Sequence, residues 1–210
     1  MRWSLPLLCF VLAAAQTACA ETDAQNDVVF PTRAPVGPPA PVAPGLTTGC
    51  DGAAVPDGRL LGRVYPIPLE TRRLPDFNAL TPAGTLCLDR LDISERRGQP
   101  GFPGLTNRTE WFGVDLRGAF VVDQPGMVTF RLTSDDGSQL YIDGALVIDN
   151  DGYHQTHVKE GAMHLDAGPH AIGVPYWQGP GPLALILEVG QPGAGYQVLR
   201  MDHAVAGGAG

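Results

Sequence analysis

The sequence predicts an all-β domain, a sandwich or barrel of short strands, carried on an extended Pro-rich N-terminal spacer. Three observations predict it. Val128, Phe130 and Leu132 alternate with Thr129, Arg131 and Thr133, the period of two expected of a half-buried strand. Asp143-Gly144 separates Gln139 to Ile142 from Ala145 to Ile148, the strongest short-range signal for a hairpin. Gly 27 and Pro 20 in 210 residues favour many turns, and no helix-period segment exceeds two turns.

From the N-terminus, Arg2 precedes an apolar run from Leu5 to Ala15, and small residues follow. That is the pattern of an export signal over residues 1–20, too short to span a membrane. Its end reads in two ways. Ala18-Cys19-Ala20 fits ordinary signal cleavage, whereas Gln16-Thr17-Ala18-Cys19 resembles a lipobox, with a signal of residues 1–18 and lipidation at Cys19. The expectation is an exported chain, either a lipoprotein of the cell surface or outer membrane or a freely secreted protein. Residues 21–57 are rich in Pro and Ala and form the semi-rigid spacer. Cys50 and Cys87 are the two cysteines of the mature chain, and an oxidising destination predicts a disulfide between them.

The globular part is expected over 58–192, with a C-terminal tail at 193–210 whose Gly/Ala-rich end, Ala204 to Gly210, should fray. Besides the strands already described, Trp111 to Val122, Ala162 to Leu165, Ala171 to Trp177 and Leu183 to Val189 read as strands bounded by Gly, Pro or Asp turns. Pro175 predicts an edge or a bulge, because proline cannot donate to a sheet ladder. Trp111 is expected in the core. The stretch from Arg59 to Pro100 is the least patterned.

The chemistry-bearing segment is Ser134-Asp135-Asp136-Gly137. Adjacent side chains of a strand point to opposite faces, so the two carboxylates converge only if the backbone turns sharply between them. A cis peptide does this. Taken alone, the four residues read as a solvated acidic turn in which Asp135 caps backbone N–H groups. Asp149-Asn150-Asp151-Gly152 reads as a turn, since it lacks the distal Glu of the helical calcium-binding motif. His154, His157, His164 and His170 lack a dependable shared face for zinc.

The run from Thr129 through Ser134-Asp135-Asp136-Gly137 to Asp143-Gly144, continuing through Leu146 to Gly152, closely resembles the PA-14 domain (protective-antigen type). Gly101-Phe102-Pro103-Gly104 and Glu110-Trp111-Phe112-Gly113 resemble its fibro-slime subgroup, and Leu165-Asp166-Ala167-Gly168 and Tyr176-Trp177-Gln178-Gly179-Pro180 continue the likeness in order. The resemblance implies a β-sandwich or barrel-like fold. It also implies that Asp135 and Asp136, joined by a cis peptide, hold one calcium ion. Gln178 would add a side-chain oxygen, and Gly179 and Trp177 would line the sugar site. A ring beside the ion suits stacking on a sugar, although a half-buried packing role for Trp177 stays open.

Function classes narrow accordingly. A net charge of -8 with no Lys/Arg cluster excludes a nucleic-acid partner. No nucleophile elbow or phosphate-cradling loop is present, and two adjacent aspartates are too close to act as a glycosidase pair, so no enzyme is expected. The expectation is a surface-displayed, calcium-dependent carbohydrate-binding module of lectin or adhesin type. The alternative is a structural or protein-interaction domain of the surface or matrix in which calcium only rigidifies loops. The membrane is met only through a lipid on Cys19.

Overall fold

The computed structural model describes residues 55, 57–98, 101–105 and 108–208. The export signal, Cys19, Cys50 and nearly all of the spacer lie outside the described residues. The described chain is all-β. Its strands are β1 (Leu60–Pro66), β2 (Gly84–Leu88), β3 (Asp92–Arg97), β4 (Phe112–Gln124), β5 (Gly126–Asp135), β6 (Ser138–Ile142), β7 (Ala145–Asn150), β8 (His157–Leu165), β9 (Gly168–Gln178), β10 (Pro182–Gly190), β11 (Gln197–Val198) and β12 (Ala204–Ala206). One 3-10 turn, Phe77–Ala79, is capped by the Asp76 side chain.

The strands form two sheets. One runs β2-β1-β4-β9-β6-β7, with β12 also on β4; the other runs β11-β10-β5-β8, with β3 also on β10. The alternating face of β5 turns Val128, Phe130 and Leu132 inward, where each is fully buried. Across the core Phe120 of β4 meets Phe130 edge-on, with centroids 6.2 Å apart, so the two sheets pack face to face. The β6–β7 hairpin turns at Asp143 (φ 49°) and Gly144 (φ 83°), the two positive φ angles that its tight turn demands.

Four expectations change. Trp111 is not core: it takes a positive φ (55°) just before β4 and is only partly buried, and its carbonyl accepts from Ile67 N–H at 3.1 Å. Pro175 lies in a central strand opposite Asp115 of β4, and the sheet accommodates it because the β6 ladder records no pair there, skipping from Ser138↔Tyr176 to Tyr141↔Gly173. The C-terminal stretch does not fray over its described residues. Instead β12 pairs in parallel with β4, Gly208 exchanges hydrogen bonds with Met127, and Val205 is buried. Finally, the unpatterned 59–100 stretch supplies β1, β2 and β3. Cys87 lies at the buried side of β2, but its expected partner Cys50 is beyond the described residues.

Candidate functional site

Because β5 belongs to one sheet and β6 to the other, the chain must cross between sheets within Asp135-Asp136-Gly137. The Asp135–Asp136 peptide is cis. Gly137 fixes the corner against the end of β9: Trp177 N–H donates to its carbonyl at 3.0 Å. A Cβ at Gly137 would stand 2.4 Å from Trp177 Nε1 and 2.6 Å from Asp151 Oδ1, so only glycine fits there.

Both carboxylates are enclosed. Asp135 is 3% and Asp136 2% exposed. Asp136 Oδ2 accepts from Gly179 N–H at 2.7 Å. The Thr156 hydroxyl stands 3.3 Å from Asp135 Oδ2 and 2.6 Å from Glu95 Oε2. Among the described residues, no Lys or Arg forms an ion pair with either aspartate. Burial pushes the Asp136 carboxyl up to about 6, opposed by the Gly179 N–H and reinforced by the charge of Asp135. Asp135 is raised as well, again chiefly by burial. Two buried anions without a Lys or Arg partner are costly unless something positive sits with them.

That arrangement fits a hard divalent cation, which prefers oxygen donors. No group of three His, Cys, Asp or Glu side chains surrounds a metal position among the described residues. Beyond the two carboxylates, the donors would therefore be neutral oxygens.

The structure redistributes the other residues expected at the site. Gln178 is fully buried, and its amide is used within its own loop. Its Nε2 donates to the carbonyls of Gly179 (2.9 Å) and Pro182 (2.8 Å), and its Oε1 shares the single Tyr176 O–H with the Asp135 carbonyl, which lies 2.6 Å from that hydroxyl. Gln178 thus braces the loop beneath the acidic corner. Trp177 is fully buried too, which removes it as an open sugar platform. Its Nε1–H donates to Asp151 Oδ1 at 3.1 Å. Gly179 does face Asp136, through its N–H.

Asp151 and Tyr153 are the residues that sequence reasoning missed. Asp151 is a hub: its Oδ1 accepts from Trp177 Nε1 and also from Leu74 N–H at 2.8 Å, joining segments 26 and 77 residues away. Tyr153, 49% exposed, stacks on Trp177 with centroids 6.4 Å apart and is the exposed aromatic at the rim. The Asp149-Asn150-Asp151-Gly152 turn was the one available signal, since an acidic turn so close in sequence to the hairpin had to end near the Asp135 corner. His157 is engaged away from the pair, its Nδ1 meeting Asn150 Oδ1 at 3.0 Å, whereas His154 stands beside it: its ring meets the Asn150 and Gln155 carbonyls, and its backbone N–H and its charge favour the ionised aspartates.

Residues 102–201 match the family model of the PA14 domain. No curated protein matches the chain in sequence. Among solved structures, the PA14 sugar-binding domain from an RTX adhesin superposes with a TM-score of 0.58 at 21% identity, covering 73% of this chain and 100% of that one. The PA14 domain of the antifreeze protein MpAFP gives 0.57 at 20% identity, covering 70% and 92%. An anti-sigma factor domain-containing protein from Clostridium clariflavum gives 0.52 at 19%, covering 80% of this chain and 50% of its own. These likenesses share the fold.

Proposed function

We propose that this chain, which carries a PA14 domain over residues 102–201, is an exported carbohydrate-binding module of adhesin type, with one calcium ion held by Asp135 and Asp136. The observation that carries this reading is the buried carboxylate pair without a Lys or Arg partner among the described residues, set at the corner where the chain changes sheets. The sugar-binding domain of the RTX adhesin, similar in fold, supports it. Calcium would supply coordination positions that two vicinal sugar hydroxyls occupy in place of water. The chain's own contribution is to hold the pair in place: Gly179 N–H on Asp136, Gly137 against Trp177, and Gln178 and Tyr176 beneath. The reading assigns no catalysis. It includes a Cys50–Cys87 disulfide tying the spacer to β2, and display at the cell surface or release, according to whether Cys19 is lipidated.

A glycan array with and without chelator tests it. Calcium-dependent glycan binding is the expected result. If calcium raises stability while no glycan binds, the alternative holds: a structural or protein-interaction domain whose loops the ion rigidifies. Binding indifferent to chelation would remove calcium from the sugar site.

A further inference from the structure

Residues 67–76, between β1 and the 3-10 turn, were unpatterned in the sequence but lie against the acidic corner. Leu74 N–H donates to Asp151 Oδ1, the same oxygen that receives Trp177 Nε1–H. Ile67 N–H donates to the Trp111 carbonyl, and Thr71 closes a turn onto the Pro68 carbonyl through both its N–H and its hydroxyl. The segment is therefore held at several points along its length. Its two arginines stand at the rim. The Arg72 guanidinium lies over the Tyr153 ring, 4.5 Å from the centroid. Arg73 reaches toward Asp151 Oδ2 at 3.9 Å with its side chain 79% exposed.

This rim is continuous with the carboxylate pair. The point where a side chain on Gly179 would begin lies 3.2 Å from Asp136 Oδ2, 3.3 Å from Trp177 Cζ3 and 3.4 Å from Tyr153 Cε2. Gly179 thus links the buried Asp136 to the exposed Tyr153 ring, over which Arg72 lies. Among the described residues, no carboxylate lies within ion-pair distance of Arg72. Arg72 is thus an exposed guanidinium stacked on an aromatic ring and left without an acidic partner among the described residues.

We propose that the site selects acidic saccharides, sugars bearing a carboxylate or sulfate, and that Arg72, seconded by Arg73, receives the anionic group. The proposal rests on the glycan-binding reading above and names its substrate class. The physical reason is geometric. Tyr153 holds the guanidinium by a cation–π contact, and a guanidinium held in place matches a carboxylate or sulfate with two parallel hydrogen bonds. A neutral sugar gains nothing comparable. Tyr153 is accordingly a positioning residue and Arg72 a binding one.

The test is an array printed with neutral, uronate-bearing and sulfated glycans, probed with the full chain in calcium, as wild type, as Arg72→Ala/Arg73→Ala and as Arg72→Lys. Both arginines are exposed, so their replacement leaves the core intact. The wild type should favour acidic over neutral glycans by about tenfold or more, the worth of one charge-assisted bidentate contact. That ratio should collapse toward one in the double variant and recover only in part with lysine, which keeps the charge and loses the fork. Raising salt should erode the preference, because the arginines are solvent-exposed. The uronate and sulfate arms identify which anion is preferred. Calcium-dependent binding of neutral glycans with no acidic preference, or a preference indifferent to the double substitution, overturns this proposal and leaves the glycan reading standing. No calcium-dependent binding to any glycan overturns both.

Discussion

The turns at either end of β6 both carry aspartate, and their carboxylates meet opposite surroundings. At the hairpin, Asp143 is exposed and fully partnered: its Oδ2 meets His170 Nδ1 at 2.7 Å and its Oδ1 accepts from Ala171 N–H at 2.8 Å. At the corner entering β6, Asp135 and Asp136 are buried side by side with no basic side chain bonded to them. Asp143 is explained by its own turn. It accepts a positive φ and staples β7's hairpin to β9. The corner pair is not explained by local structure, because burying two like charges together works against folding. The difference marks which acidic turn is structural and which awaits a ligand.

The largest expected effect breaks this contrast outright. Asp135→Asn/Asp136→Asn should lower calcium affinity by at least about a hundredfold in calorimetry, since each lost carboxylate removes a charged donor. An unchanged affinity would place the ion elsewhere. In thermal unfolding the wild type should gain about 2.7 kcal/mol at a calcium concentration a hundred times its Kd, and the double variant nothing. Without calcium the order should reverse, with the variant the more stable because the repulsion is gone.

The glycine positions sharpen the same contrast from the side of packing. Gly137→Ala drives a methyl into Trp177 Nε1, Asp151 Oδ1 and Gly152 N, all within 2.8 Å, and should destabilise by about 1–3 kcal/mol. Gly144→Ala at the hairpin meets nothing within 4 Å, so its cost is confined to its positive φ, about 1 kcal/mol. Equal losses in chemical denaturation would contradict a tightly built corner.

Metal-free protein should also show the pair's burial in its pH dependence. The Asp136 carboxyl rises from 3.8 to about 6 on folding, so the folded state holds the proton more tightly than the unfolded chain does. Its stability contribution is then full below pH 3.8 and is lost as pH rises through about 6. Denaturation midpoints in chelator should fall across that interval and flatten in Asp136→Asn. A rise across it would mean that a positive group already compensates the pair.

How much of this was legible in the sequence follows from how local each feature is. β5 and the hairpin were readable because Val128, Phe130 and Leu132 alternate and Asp143-Gly144 encodes its own turn. β1 was not, since Leu60, Leu61, Val64 and Tyr65 are buried on both faces and show no alternation. β12 escaped because Ala204-Val205-Ala206 is held by its parallel pairing with β4, which no local signal announces. The Asp135-Asp136 pair could be located, yet its surroundings could not. Trp177 reads equally as a stacking ring and as a packing residue in the sequence, and what decides between them, the contacts with Gly137 and Asp151, comes from residues distant in sequence. Asp151 looked like an idle turn residue because its partners are Leu74 and Trp177.

The smallest expected effect lies at the hairpin and tests whether Asp143 is as self-sufficient as the contrast requires. Both ring nitrogens of His170 face acceptors, Nδ1 the Asp143 carboxylate and Nε2 the Asp166 carbonyl at 2.8 Å, so only the protonated ring satisfies both. The hydrogen bond to Asp143 raises the His170 pKa, outweighing the opposing effect of burial. A group raised on folding stabilises fully below its unfolded value of 6.5, and that contribution is lost as pH rises through the higher folded value. Asp143 is solvent-exposed, which keeps the effect within about 1 kcal/mol. His170→Ala should therefore lower the melting temperature below pH 6.5 and converge on the wild type as pH rises above the folded value, with calcium and glycan binding unaltered. A constant difference across pH would make His170 a packing residue against Phe120, whose ring centroid is 5.9 Å away. A change in calcium affinity would couple the two turns through β6, and the division between a structural aspartate and a ligand-binding pair would no longer hold.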